Sequence, residues 1–103
     1  MKILFDQGTP APLRHYLPNH EVVTAAEQGW SDLSNGDLIS AAEQEGFNVL
    51  VTTDRNLRYQ QDLSSRVIGI AVVLQSAWPI LKPRAEDVAA VISNFQPQDY
   101  LEI

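Results

Sequence analysis

Apolar residues fall along this chain in short runs and stripes, each bounded by turn residues. Lys2–Phe5 is a brief apolar run stopped by Asp6 and Gly8, the pattern of a buried strand. Thr9-Pro10 reads as an N-cap with proline in the first helical turn, where its missing N–H is not needed. Leu13, Tyr16 and Leu17 give that helix one apolar stripe, and Pro18-Asn19 closes it. Glu21–Thr24 is a short second strand. Residues 25–33, with Gly29 and Trp30 among them, fit neither the helical nor the strand period. Ser34-Asn35-Gly36-Asp37 has the spacing of a capping box with Asp in place of Glu. The helix it opens is expected to bury Leu38, Ile39, Ala41 and Ala42 and to stop at Gly46.

Residues 47–51 read as a third strand, ended by Thr52-Thr53-Asp54, and a helix over about 55–63 follows. Residues 67–74 are the longest β-branched run, which predicts a central strand covered on both faces. Trp78-Pro79 reads as a loop. Val88, Val91, Ile92 and Phe95 then recur at i, i+3, i+4 and i+7, the stripe of a last helix. Pro83 is expected to start it, with Glu86 and Asp87 in the first turn, where they suit the helix dipole. Residues 100–103 complete the set as an edge strand. Strands alternating with helical patterns predict an α/β fold, a three-layer α/β/α sandwich around a mainly parallel sheet. Right-handed crossovers place the strand C-terminal ends along one edge, where open α/β sheets carry their sites.

Composition narrows the choice of chemistry. The 103 residues make one domain, 45% hydrophobic and 19% charged, well inside the globular range. With no cysteine, a disulfide scaffold, a zinc ribbon and a thiol nucleophile are excluded together. No apolar run reaches the roughly 18 residues of a membrane span. The run at Lys2–Phe5 is too short for a signal peptide, so a cytoplasmic protein is expected. The net charge of −6 is the wrong sign for a generic grip on nucleic acid. Most of it lies in residues 1–51, where two basic residues face seven acids. Either those acids solvate a surface or they gather around a cation.

Asp6 and Asp54 each follow a predicted strand, so both are expected at the same sheet edge. Asp37, in the first turn of the helix feeding the third strand, is the candidate third member. Carboxylates that converge repel one another unless a cation neutralises them, and hard oxygen ligands suit Mg²⁺ or Mn²⁺. Such an ion lowers the pKa of a bound water and clamps a phosphodiester. Each acid also has a structural role open to it. Asp37 serves in the capping box, and Asp54 is placed to N-cap the helix after it. Asp6, with no basic residue near it in sequence, has no obvious structural task. Arg55 and Arg58 follow Asp54 and suit either a phosphate or a solvated helix face. His15 and His20 lack partners at metal-binding spacing. Phosphate-loop, dinucleotide-binding and nucleophile-elbow motifs are absent.

Three segments together carry a resemblance: Ile3-Leu4-Phe5-Asp6, Asn35-Gly36-Asp37-Leu38 with Ala41-Ala42, and Val51-Thr52-Thr53-Asp54-Arg55-Asn56-Leu57. The chain resembles the small PIN-like proteins of bacteria, a family often associated with toxin–antitoxin systems and related to the VapC-type ribonuclease toxins. The resemblance spans nearly the whole chain, and the spacing of the three acids is its most specific part. It implies an α/β/α sandwich that binds Mg²⁺ or Mn²⁺ for RNA cleavage, with Asp6, Asp37 and Asp54 as catalytic and metal-binding acids. It places Asn56 where the family often has a further Asp ligand. An antitoxin protein and RNA are the implied partners. Two departures reduce the negative ligands, Gln7 after the first acid and Asn56, and Leu57 stands where an aromatic is common.

Two other readings compete. One is a PIN-like protein that binds a partner chain or RNA with little catalysis, using Trp30, Trp78 and the edge strand; a homodimer also suits two loop tryptophans. The other is a phosphoacceptor receiver domain, which wants an acid pair where Asp6-Gln7 stands and a late lysine, for which Lys82 is the only candidate.

Overall fold

The computed structural model describes residues 1–103. Five strands form one all-parallel sheet: β1 (Lys2–Phe5), β2 (Glu21–Thr24), β3 (Val49–Thr52), β4 (Gly69–Val72) and β5 (Tyr100–Glu102), in the spatial order β2-β1-β3-β4-β5. Four helices accompany them: α1 (Asn35–Gln44), α2 (Leu57–Gln60), α3 (Trp78–Leu81) and α4 (Ala85–Ser93).

Side chains alternate across the strands and sort into two cores, which is the period-2 rule acting on a sheet covered twice. On one face Ile3, Phe5, Val49, Val51, Ala71 and Val73 pack with Leu13, Leu17 and the α4 residues Val88 and Ile92. On the other, Leu4, Leu50, Ile70 and Val72 pack with Leu38, Ile39 and Ala42 of α1 and with Leu57. The expected three-layer α/β/α sandwich is therefore present. β4 lies inside the sheet between β3 and β5 and is buried along its whole length, as expected, with β3 in the middle position.

Several local expectations are corrected. The first helical segment is a 3-10 turn over Ala11–Tyr16 whose N-cap is Pro10. Thr9 does not cap it, because its hydroxyl is buried and donates to the Val51 carbonyl at 2.9 Å. The helix expected over 55–63 shrinks to the single turn α2, since Gln61 is already extended and Ser64 is tied into a turn by the Asp62 carboxylate. Trp78-Pro79 is the start of α3 rather than a loop, with proline in the first turn where it is tolerated. Pro83 lies in the 3-10 turn Lys82–Arg84 that leads into α4. Along α4 the buried face is Ala85, Val88, Ala89 and Ile92, with Phe95 beyond its end, while Val91 is exposed. Ala41 is only half-buried. α1 is capped as expected: Ser34 Oγ accepts from the Asp37 backbone N–H at 3.4 Å. It ends before Gly46, whose φ of +79° is the left-handed conformation glycine adopts most cheaply.

No helix is long and apolar enough to cross a membrane.

Candidate site at the carboxyl edge of β1 and β3

The strand order 2-1-3-4-5 has its switch point between β1 and β3. From β1 the chain turns outward to β2 over one face, and from β3 it turns the other way to β4 over the opposite face. Open α/β sheets leave a crevice at that point, outside the strand carboxyl ends. Asp6 leaves β1 there and Asp54 leaves β3.

Register brings Asp6 to Thr52. Phe5 pairs with Val51 and the Asp6 N–H donates to the Val51 carbonyl, so one further step sets Asp6 against Thr52. Both continue the alternation of Leu4 and Leu50, and so both face the α1 and α2 layer. The fully buried Thr52 hydroxyl donates to Asp6 Oδ2 at 2.9 Å and accepts from the Asp54 backbone N–H at 3.1 Å. One hydroxyl thus ties the two strand ends together. The other oxygen of Asp6 accepts from the Gln7 N–H at 2.7 Å.

Asp54 is held from two sides. Its Oδ1 accepts from the Asn56 N–H at 2.9 Å, and its Oδ2 accepts from the Asn35 side-chain amide at 3.1 Å. Asn35 is the first residue of α1, so this bond docks the helix N-terminus onto the strand end. Thr52 and Asn35 are the site residues that sequence reasoning passed over. Thr52 had a readable signal, a polar β-branched residue ending a buried strand next to an acid. Asn35 had none, because the contact depends on how α1 docks.

The remaining candidates are distributed as follows. Asp37 is exposed, and what it contributes to the cap is its backbone N–H. No group of three or more His, Cys, Asp or Glu side chains is placed to hold one ion, so Asp6, Asp37 and Asp54 do not converge as expected. Asn56 is exposed, and only its backbone N–H meets Asp54. Arg55 reaches across to the Leu74 carbonyl at 3.0 Å and links the loops after β3 and β4. Arg58 donates to the Tyr59 hydroxyl at 2.7 Å, and its guanidinium lies 4.8 Å from the Tyr59 ring centroid and 5.4 Å from that of Tyr100. The bond to Tyr59, and then the charge nearby, hold Arg58 more firmly protonated than a free guanidinium. Burial pushes the Tyr100 phenol up, with Glu102 adding to it. Lys82 is exposed and forms no ion pair with Asp54. Trp30 and Trp78 are half-buried, packed 6.0 Å from Phe47 and 5.9 Å from Tyr16 between ring centroids.

Two concavities lie away from Asp6 and Asp54. One of about 270 Å³ sits at the amino end of the sheet, among Met1, Phe47, Ile68 and Phe95. The other is an open hollow lined by Arg14, His15, Thr24 and Glu27. Neither is lined by Asp6 or Asp54, which are half-buried. The Asp6 and Asp54 carboxylates are nevertheless hard-oxygen donors of the kind Mg²⁺ uses, since that ion commonly takes one or two carboxylates and keeps several waters. In donor chemistry alone, the pair suits a two-carboxylate ion site. The residues present do not fit a three-carboxylate one. No family model, curated protein or solved structure matches this chain.

Proposed function

We propose that this chain is a cytoplasmic, metal-dependent ribonuclease of the PIN-like type, hydrolysing phosphodiester bonds at the carboxyl edge of β1 and β3. The observation that supports it best is that Asp6 and Asp54 leave adjacent strands at a topological switch point, where one buried threonine hydroxyl joins the Asp6 carboxylate to the Asp54 backbone N–H. In this reading Asp6 and Asp54 hold Mg²⁺ or Mn²⁺ through their carboxylates. The ion supplies a water of lowered pKa and charge to offset the phosphate. Thr52 orients Asp6, and Asn35 orients Asp54. Arg58, on the turn after Asp54, is the residue this reading assigns to a phosphate oxygen, since Arg55 is engaged by the Leu74 carbonyl. Asp37 belongs to the helix cap. A role as a toxin restrained by an antitoxin partner rests on the family resemblance alone.

The test is a melting curve with and without Mn²⁺, beside cleavage of a single-stranded RNA. A ligand bound only by the folded state stabilises it by about 2.7 kcal/mol at a hundredfold excess over Kd. The wild type gains that increment and cuts RNA only with metal. Asp54→Asn keeps an oxygen acceptor for the Asn56 N–H, stays folded, and loses both. If Mn²⁺ shifts neither protein and no cleavage appears, the nuclease reading is wrong.

A further inference from the structure

The short helix α2 carries an unusual surface feature next to the aspartate edge. Tyr59 is 73% exposed, the most exposed of the large hydrophobic side chains. Arg58 covers one face of its ring at 4.8 Å and also donates to the phenol oxygen, while the Tyr100 ring backs Arg58 from the sheet side at 5.4 Å. The segment is also tied to Asp54 through successive turns: the Asn56 N–H to Asp54 Oδ1, the Leu57 N–H to the Asp54 carbonyl at 3.4 Å, and the Tyr59 N–H to the Asn56 carbonyl at 3.0 Å. Leu57, wholly buried, anchors the turn to the core. An exposed aromatic ring in contact with a guanidinium thus stands five residues after Asp54, on the turn that Asp54 opens.

That pairing matches a nucleotide: a flat π-face for the base and a cation for its phosphate. It does not match a duplex, whose bases are already stacked and offer no free face. We propose that Tyr59, braced by Arg58, is the stacking platform for one unpaired base of a single-stranded RNA, flanking the phosphodiester presented to Asp6 and Asp54. This rests on the ribonuclease reading for the identity of the polymer, but it is a statement about binding and needs no metal.

The experiment is fluorescence anisotropy of an unstructured oligoribonucleotide of about eight nucleotides, and of its blunt duplex, titrated with the full chain in EDTA. Loss of one base–aromatic stack weakens binding by roughly five- to 150-fold. Tyr59→Ala is expected to weaken single-strand binding within that range. Tyr59→Phe keeps the ring and stays within about threefold of wild type. The duplex binds more weakly than the single strand and is indifferent to both changes. Tyr59 is solvent-exposed, so melting temperatures that match the wild type confirm that folding is intact. Equal affinity of wild type and Tyr59→Ala, equal losses in the Ala and Phe variants, or no binding by the wild type each overturn the platform. Failure here is distinct from failure of the nuclease reading. A wild type that cleaves RNA with Mn²⁺ while Tyr59→Ala binds and cleaves equally well loses only the platform. One that binds through Tyr59 and neither cleaves nor responds to Mn²⁺ loses only the catalysis.

Discussion

Replacing Thr52 with valine tests the part of the site on which everything else depends. Valine keeps the β-branched shape and the strand preference and removes only the hydroxyl. Two bonds go with it, the one donated to Asp6 Oδ2 and the one accepted from the Asp54 N–H. A hydrogen bond to a charged group contributes about 1.5–3 kcal/mol, and an amide left without its acceptor costs about 1 kcal/mol more. The extra buried methyl returns about 1 kcal/mol, leaving a net loss of about 2 kcal/mol. A chain of 103 residues has an unfolding entropy near 0.2 kcal/mol/K, so the melting temperature falls by about 10 °C.

The assay is thermal unfolding of wild type, Thr52→Val, Asp6→Ala and the double variant. Because the partners touch, the cycle has a coupling of about 1–2 kcal/mol. Thr52→Ser restores the hydroxyl and recovers most of the loss. A Thr52→Val protein within about 0.5 kcal/mol of wild type, or strict additivity in the double variant, refutes the bridging role. Mn²⁺ adds a second measurement. If the hydroxyl sets the carboxylates for an ion, Thr52→Val reduces the metal-induced shift without removing any ligand charge.

Three further outcomes follow from other parts of the chain. Asp37→Gln keeps a residue suited to the capping box, and because Asp37 does not join the other two acids, Mn²⁺ affinity by titration calorimetry should match the wild type; a tenfold loss would bring Asp37 back into the site. Gly46→Ala meets no atom within 4 Å, so its cost is the left-handed backbone alone, about 1–2 kcal/mol in urea unfolding. Glu27 is held at about 2, first by its bond from Arg14 and then by the Thr24 N–H. Its folded value lies below its unfolded one, so its stabilising share is full above about 4.5 and disappears as pH falls toward 2; Glu27→Gln should flatten that part of the stability profile.

The alternation of short apolar runs with helical stripes was enough to read the layers and the parallel sheet, because both are set by which faces must be covered. It also located Asp6 and Asp54 at a common edge, a consequence of parallel strands and right-handed crossovers alone. Local competition is what it missed. The Thr9 hydroxyl found a buried carbonyl instead of a helix N-terminus, and the Asp54 and Asp62 turns left room for only one turn of α2. A side chain with two available partners is settled by tertiary packing, which a spacing rule does not contain.

Asp37 and Asn35 show the same limit at the site itself. Spacing puts Asp37 forward and leaves Asn35 aside, since only Asp37 carries a charge. Yet a helix that starts at Asn35 and is capped by Ser34 turns each successive residue by about 100°. Two residues on, Asp37 projects some 200° away from Asn35. Only one of the two can face Asp54, and the capping bond from the Asp37 N–H to Ser34 fixes which. The neutral amide faces the carboxylate and the charged side chain faces solvent. That arrangement is self-consistent without a metal, because an amide donor stabilises Asp54 where a third carboxylate would repel it. An ion bound through Asp54 Oδ2 would therefore compete with the Asn35 donor, and Asp37 would not join it.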